Sequence, residues 1–171
     1  VNDIGAQIVE SFKTFCAEYG KDLQLWFEPG KYLVSNAGYL LAEVNVVKQT
    51  TSTVFAGVNS GQNHLLRPMM YDSYHNIVNI SNPTGTERIY SVVGYICESD
   101  TFGYDRKLNE VRVGDVLAIC NAGAYGFSMS SNYNSRLRPA EVMIYKGKSY
   151  LIRKRENLDY LLENQVEIDL P

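Results

Sequence analysis

The feature that most constrains the fold of this sequence is a change of residue pattern near position 35. Before it, apolar residues recur at helical spacing over residues 4–19, and Gly20 stands where a helix would stop. Residues 23–27 then alternate as a strand does, and Glu28-Pro29-Gly30 breaks the chain. A helix, a strand and a turn in this order are typical of an α/β unit.

After Gly38 the pattern becomes a series of short β-rich runs separated by turn residues. A hairpin turn is predicted at Lys146-Gly147-Lys148, and Leu158, Leu161 and Leu162 predict a short terminal helix. The predicted strands are residues 39–47, 51–58, 88–97, 116–121, 142–145 and 150–153. Regular short strands of this kind favour a β-sandwich or a Greek-key barrel, so the chain is expected to be mainly β.

The pattern change also predicts the domain organisation. One helix and one strand cannot close a hydrophobic core by themselves. We therefore expect residues 1–35 to be the last helix-strand remnant of a larger α/β domain, and residues 36–171 to be a β-domain with a short C-terminal helix.

Composition excludes several classes of partner. The 171 residues carry a formal net charge of −3, with no basic patch for a nucleic acid and no apolar run near the ~20 residues that a membrane span needs. The chain has three widely spaced cysteines and two histidines, which argues against a disulfide framework and against a structural zinc site. No signal peptide is recognisable at the start, and a cytoplasmic protein is expected.

Two motifs suggest recognition of anions. Glu28-Pro29-Gly30-Lys31 follows the predicted strand, where Gly30 allows a close backbone approach and Lys31 adds a positive charge. An ordinary strand-to-loop turn is the simpler explanation of these four residues. Arg67, close to Tyr71, suits bidentate binding of a carboxylate, although a surface arginine beside a packed tyrosine is an equal alternative.

Two further segments carry groups that suit catalysis or binding. The run 94–100 places Cys97, a possible proton donor, beside Glu98, which suits a cationic amine. An inert cysteine at a strand end is the simpler alternative. Residues 121–136 form a long segment in which Tyr125, Phe127, Met129 and Tyr133 are unusual for pure solvent exposure, so we expect a functional loop.

Taken together and in this order, these motifs resemble diaminopimelate decarboxylases over residues 20–145. The matching segments are Glu28-Pro29-Gly30-Lys31, Arg67-Pro68 with Tyr71, residues 97–100, Gly123-Ala124-Tyr125-Gly126 and residues 136–141. The resemblance implies a TIM-like barrel of the alanine-racemase type followed by a β-domain, pyridoxal 5'-phosphate as cofactor, and a homodimer with active sites at the subunit interface.

The resemblance also implies a role for each motif residue. Glu28, Gly30 and Tyr125 would contact the cofactor, and Lys31, Arg67, Tyr71 and Tyr125 would contact the substrate. Cys97 and Glu98 would reach the active site of the neighbouring subunit, where Cys97 returns a proton and Glu98 binds the distal amine. Many members of the family have Arg at the position of Lys31. An arginine can form two hydrogen bonds to a carboxylate, whereas the lysine here would form one.

The implied activity is conversion of meso-2,6-diaminopimelate to L-lysine and CO2. Ornithine decarboxylases resemble the same pattern but typically have Asp after the Cys, so Glu98 together with Arg67 favours diaminopimelate. The lysine that forms the Schiff base in the family has no counterpart in this sequence, and we expect the chain alone to be inactive. Two alternatives remain open: a stand-alone β-domain for dimerisation or binding, and a related ornithine- or arginine-type decarboxylase.

Overall fold

The computed structural model describes residues 2–170 and divides the chain after Gly30 into two compact units. In the first unit, helix α1 spans Asn2–Tyr19, as the apolar spacing predicts. The helix ends at Gly20, which adopts a left-handed φ of +75° and donates its amide to the Cys16 carbonyl at 2.9 Å.

The strand predicted at residues 23–27 is not formed. Leu23, Leu25 and Phe27 are all exposed, and no second strand lies in the described part of this unit. A strand is stable only when its backbone groups pair with a neighbour. The alternating pattern is therefore present in the sequence, but it finds no hydrogen-bonding partner here.

The second unit begins at Lys31 and is built around one six-stranded sheet. Its elements in chain order are β1 (Leu40–Gln49), β2 (Val54–Val58), α2 (Arg67–Tyr71), β3 (Ile77–Asn79), β4 (Glu87–Val93), β5 (Thr101–Asn109) and β6 (Val116–Ile119). The strand order across the sheet is β3-β6-β1-β2-β4-β5. The two edge strands, β3 and β5, contact each other, so the sheet is nearly closed into a barrel.

All neighbouring strands of the sheet are antiparallel except β2 and β4, which run parallel. A parallel pair requires a crossover connection, and the chain between β2 and β4 carries α2 and β3. Arg67 and Tyr71, on α2, therefore lie in the crossover that joins β2 to β4.

The interior of the sheet is closely packed and apolar. Along β1, Ala42 and Val44 are buried while Leu41 and Glu43 are exposed, which is the period-two pattern of a strand with one face on the core. Tyr90 is buried as well, and its hydroxyl accepts a hydrogen bond from the Val111 amide at 3.0 Å. The remaining core consists chiefly of Ala56, Val58, Leu65, Ile77, Val92, Phe102, Leu108, Leu117 and Ile119.

A hairpin and a short helix follow the sheet. Strands β7 (Glu141–Tyr145) and β8 (Lys148–Arg153) pair antiparallel across the predicted turn, in which Lys146 and Gly147 both have positive φ. Helix α3 spans Leu158–Leu162, and the side chain of Asn157 caps it by accepting the Tyr160 amide. The predicted mainly β fold is confirmed, as are the hairpin and the terminal helix.

Several details differ from the sequence prediction. Strands β3 and β5 were not predicted, and β4 ends at Val93 rather than continuing to Cys97. Between residues 2 and 170, no helix combines the length and the apolar character that crossing a membrane requires.

Candidate functional site

Arg67 and two tyrosines form the first cluster of predicted site residues. Arg67 is the first residue of α2, and Tyr71 lies one turn later on the same face. The Arg67 guanidinium carbon is 4.9 Å from the centre of the Tyr71 ring and 5.3 Å from that of Tyr125. The Nε atom of Arg67 is buried and has no hydrogen-bond partner. This cluster therefore offers an unused cationic donor between two phenol rings, which suits an anionic ligand.

Tyr125 is held in a turn whose backbone is packed against residues 34–38. The Gly123 amide donates to the Ser35 carbonyl at 3.1 Å, and the Ala122 amide donates to the Gly38 carbonyl at 2.9 Å. A Cβ atom at Gly38 would overlap the Gly123 backbone, so both glycines are required by this close approach. Tyr125 itself has a left-handed φ of 58°, an uncommon conformation for an aromatic residue that occurs preferentially at functional sites.

Lys31 and Arg67 share a positively charged region with Arg106. All three cations act on the buried His75. Its pKa is lowered chiefly by burial and also by the charges of Lys31, Arg67 and Arg106. The ring is fixed by a 2.8 Å hydrogen bond between Nδ1 and the Cys120 carbonyl. None of the five ion pairs found among residues 2–170 involves any of the three cations. Their charge remains available to a ligand.

Cys97 and Glu98 lie in a tight loop between β4 and β5, which is closed by Asp100. The Asp100 carboxylate accepts the amides of Ile96 at 2.8 Å and Gln62 at 2.7 Å, and its carbonyl accepts the Gly94 amide at 2.7 Å. Burial raises the pKa of Asp100, although these two side-chain hydrogen bonds act in the opposite direction. The carboxylate thus fixes the loop immediately before Cys97.

The second cluster forms where this loop meets residues 133 and 134. The Tyr133 hydroxyl donates to Glu98 Oε1 at 2.5 Å, and Cys97 Sγ donates to Glu98 Oε2 at 3.4 Å. Asn134 Nδ2 lies 3.9 Å from Cys97 Sγ. The hydrogen bond from Tyr133 lowers the pKa of Glu98 and raises that of Tyr133, so the carboxylate is ionised and the phenol is protonated near neutral pH.

The long loop between β6 and β7 is fixed at several points. The Ser131 amide donates to the Asn63 carbonyl at 2.8 Å, and the Arg136 guanidinium lies 4.3 Å from the centre of the Tyr95 ring. His64 bridges Ser60 Oγ at 3.0 Å and the Leu137 carbonyl at 2.9 Å. The predicted loop is therefore well anchored rather than a free surface segment.

The remaining predicted residues, Glu28 and Gly30, belong to the first unit, where the Gly30 amide donates to the Glu28 carbonyl at 2.8 Å. In the second unit the predicted residues form two clusters, and within residues 2–170 no hydrogen bond or cation–π contact joins Arg67 to Glu98.

The sequence predicted Tyr133 only as part of a functional loop, because it is an aromatic residue in a polar segment, and it did not predict the contact with Glu98. No role was predicted for Asn134 or Asp100.

The described residues thus form a nearly closed β-domain that carries one cationic cluster and one thiol-carboxylate cluster. Residues 31–123 match the family model for the C-terminal sheet domain of pyridoxal-dependent decarboxylases. The chain therefore belongs to the pyridoxal-dependent decarboxylases and carries their C-terminal sheet domain.

Individual relatives agree with this assignment. The chain is 47% identical over 169 residues to a diaminopimelate decarboxylase of Methanothermobacter thermautotrophicus, covering 96% of this chain and 39% of that protein. It resembles the crystal structure of the diaminopimelate decarboxylase of Methanocaldococcus jannaschii with a TM-score of 0.78 at 44% identity, covering 82% of this chain and 32% of that one. The same M. jannaschii enzyme in co-complex with L-lysine gives a TM-score of 0.77 at 44% identity, again over 82% of this chain and 32% of that one. The chain thus spans about two fifths or less of the length of these relatives.

Proposed function

We propose that this chain is the C-terminal part of a diaminopimelate decarboxylase, which converts meso-2,6-diaminopimelate to L-lysine and CO2. The observation that carries the proposal is the position of Arg67, whose buried Nε has no acceptor and whose guanidinium lies against Tyr71 and Tyr125. The names of the relatives described above support the same reaction.

The first cluster would bind the distal carboxylate of the substrate. A guanidinium presents donors in a planar fork that matches a carboxylate, and the phenol of Tyr71 adds a further donor. Lys31 would add a positive charge to this site, and its charge is one of those that lower the pKa of the buried His75. Ornithine has no distal carboxylate, so a site built on Arg67 discriminates in favour of diaminopimelate.

The second cluster would act on the substrate held by the neighbouring subunit of a homodimer. Glu98 is ionised and exposed, and it suits the distal ammonium group. Cys97 Sγ would give its proton to the carbon that has lost CO2, so that a C–H bond forms as the S–H bond breaks and a thiolate remains. Both residues are exposed, which is required of groups that reach a second subunit.

Pyridoxal 5'-phosphate is the cofactor that the family implies, and when bound it supplies the electron sink for decarboxylation. The residues present fit such a group in part. Tyr125, fixed with a positive φ and 41% exposed, presents its phenol beside Arg67. Glu28 and Gly30 are further proposed cofactor contacts, and the Gly30 amide now donates to the Glu28 carbonyl within the first unit.

The proposal is tested by assembling this chain with the N-terminal barrel of the enzyme, on one polypeptide or as two separately made parts. Lysine formation from diaminopimelate is measured with and without pyridoxal 5'-phosphate. We expect activity only with the cofactor, and we expect Cys97→Ala to abolish it. Cys16→Ala, on α1, is the matched control and should remain active.

Two results would reject the proposal. The first is full activity when Cys97 and Glu98 are both replaced, which would leave the β-domain as a binding or dimerisation module. The second is decarboxylation of ornithine in preference to diaminopimelate.

A further inference from the structure

We propose that Tyr133 is a positioning residue for Glu98, and that the segment carrying Tyr133 and Asn134 fixes the thiol and the carboxylate as one unit. The inference rests on the proposed function, in which Glu98 binds the distal ammonium group. It adds a residue that determines how well that group is bound.

The geometry of the cluster carries the inference. Both carboxylate oxygens of Glu98 are engaged, Oε1 by the Tyr133 hydroxyl at 2.5 Å and Oε2 by Cys97 Sγ at 3.4 Å. The Asn134 side chain approaches the same sulfur at 3.9 Å. Two consecutive residues of one loop therefore contact two consecutive residues of another, which orients Glu98 and Cys97 together.

The loop that carries Tyr133 is rigid enough for this role. Asn132 Nδ2 donates to Glu156 Oε2 at 2.6 Å and to the Arg136 carbonyl at 3.0 Å, so both sides of Tyr133 are fixed. Asn134 and Ser135 both adopt left-handed φ values, 56° and 54°. A non-glycine backbone in this conformation persists only when the surrounding structure imposes it. Tyr133 is thus presented to Glu98 by a fixed backbone.

The electrostatic surroundings give Tyr133 a second effect. The groups that act on the Glu98 carboxyl are Tyr133 from the facing loop, and the backbone amide of Glu98, Cys97 and the buried Asp100 from its own loop. The Tyr133 hydroxyl, the Glu98 amide and the Cys97 thiol stabilise the carboxylate, whereas Asp100 is acidic and opposes a second negative charge. Removal of the Tyr133 hydroxyl therefore makes the anionic form of Glu98 less favourable.

A Tyr–Glu contact on an exposed surface can also be a simple structural contact with no effect on the substrate. The two roles differ in what they predict. In both roles, loss of the hydrogen bond raises the pKa of Glu98, but only a positioning contact also raises the Michaelis constant for diaminopimelate without a comparable change in kcat.

The first experiment uses the 171-residue chain itself and does not depend on enzymatic activity. The side-chain carboxyl of Glu98 is titrated by 13C NMR in the unmodified chain and in Tyr133→Phe. We expect the titration midpoint of Glu98 to rise in the variant, because the carboxylate loses its strongest donor. Tyr104→Phe, at an exposed tyrosine on β5, should leave the midpoint unchanged. An unchanged midpoint in Tyr133→Phe would overturn the inference.

The second experiment measures kinetics in the assembled enzyme. Tyr133→Phe should raise KM for diaminopimelate about tenfold, because a less firmly held Glu98 binds the distal ammonium group more weakly, with kcat changed less than about twofold. Glu98→Gln should raise KM at least as much. If Glu98→Gln raises KM and Tyr133→Phe does not, the positioning role is wrong while the proposed function stands. If neither variant changes KM, the role of Glu98 in the proposed function is wrong.

Discussion

The Asp100 carboxylate accepts a hydrogen bond from the Gln62 amide, with 2.7 Å between Oδ1 and N. Its other oxygen accepts the Ile96 amide at 2.8 Å. One buried side chain therefore supports both the loop of Cys97 and the turn that leads into α2 and Arg67. Within residues 2–170 no hydrogen bond or cation–π contact joins Arg67 to Glu98, yet the two clusters share this support.

Asp100→Asn is expected to destabilise the domain by about 1–3 kcal/mol, the cost of leaving a buried backbone donor without an acceptor. An amide side chain has only one acceptor oxygen for two backbone amides. The free energy of unfolding in urea measures the effect. Asp105→Asn is the matched control, because Asp105 is exposed and its left-handed φ suits asparagine. Equal losses in both variants would contradict the prediction.

The stability of the domain is expected to fall on mild acidification because of His64. Burial lowers the pKa of His64 below its ordinary value of 6.5, so the folded state binds a proton less readily than the unfolded chain. The resulting stabilisation is present above pH 6.5 and is lost as the pH falls through the lowered value. Nearby Arg155 and Arg136 lower the pKa further, while Glu156 and the bond to the Leu137 carbonyl raise it.

Urea unfolding at about pH 7.5 and about pH 5.5 tests this linkage. His64→Gln should be less stable at the higher pH but should lose less stability on acidification. The pH dependence of stability that remains in this variant is expected to come largely from His75, the only other histidine of the chain, whose pKa is also lowered by burial. Identical pH dependence in the variant and the unmodified chain would exclude His64 as its source.

Glu156 is expected to be the main anchor of the loop that carries Tyr133. Its Oε2 accepts the Arg138 amide at 2.8 Å and Asn132 Nδ2 at 2.6 Å, and its side chain is only 11% exposed. Glu156→Gln should cost about 2–4 kcal/mol and should accelerate amide hydrogen exchange at residues 130–138. Glu87→Gln, which breaks an exposed pair with Lys107, should change stability by less than about 1 kcal/mol. No acceleration of exchange would show that other contacts hold the loop.

Gly123→Ala is expected to displace the turn that holds Tyr125. An added Cβ would overlap the Val34 carbonyl and crowd the Gly38 amide, and both are backbone groups that cannot move independently. A loss of about 1–3 kcal/mol and weaker cofactor binding should follow, measured by urea unfolding and by cofactor titration of the assembled enzyme. Gly5→Ala has open space around its Cβ in α1 and should be neutral or stabilising. A fully stable Gly123→Ala would mean that the turn can shift freely.

Lys31→Arg is expected to lower KM for diaminopimelate in the assembled enzyme. A guanidinium can make two parallel hydrogen bonds to a carboxylate where the lysine ammonium acts as a point charge, and a change of about threefold to tenfold is expected. Lys48→Arg, at an exposed position on β1, is the control. An unchanged or higher KM would place Lys31 outside the carboxylate site.

Local patterns in the sequence were sufficient to predict α1, most strands and the final hairpin. Strand β5 was not predicted because its buried apolar residues, Phe102 and Leu108, are separated by a polar run in which Asp105 has a positive φ. Strand β3 has only three residues, too few for any periodicity. Residues 23–27 were predicted as a strand that is not formed. Their alternating pattern is clear, but a strand also needs a neighbouring strand to pair with.

The candidate site was predictable where its chemistry is local. Arg67 and Tyr71 are one helical turn apart, so their proximity follows from the sequence, as does the adjacency of Cys97 and Glu98. The contact of Tyr133 with Glu98 joins positions 35 apart, and that of His64 with Leu137 joins positions 73 apart. Contacts of this range depend on strand order, including the parallel pairing of β2 and β4, which no local pattern specifies.

The crossover between β2 and β4 also bears on when the site forms. Parallel strands can pair only after the chain between them has closed a long loop, and loops of high sequence separation slow folding. Arg67 and Tyr71 lie within that crossover, so we expect them to reach their final positions after β2 and β4 have paired. The carboxylate site is therefore expected to be among the last parts of the domain to form.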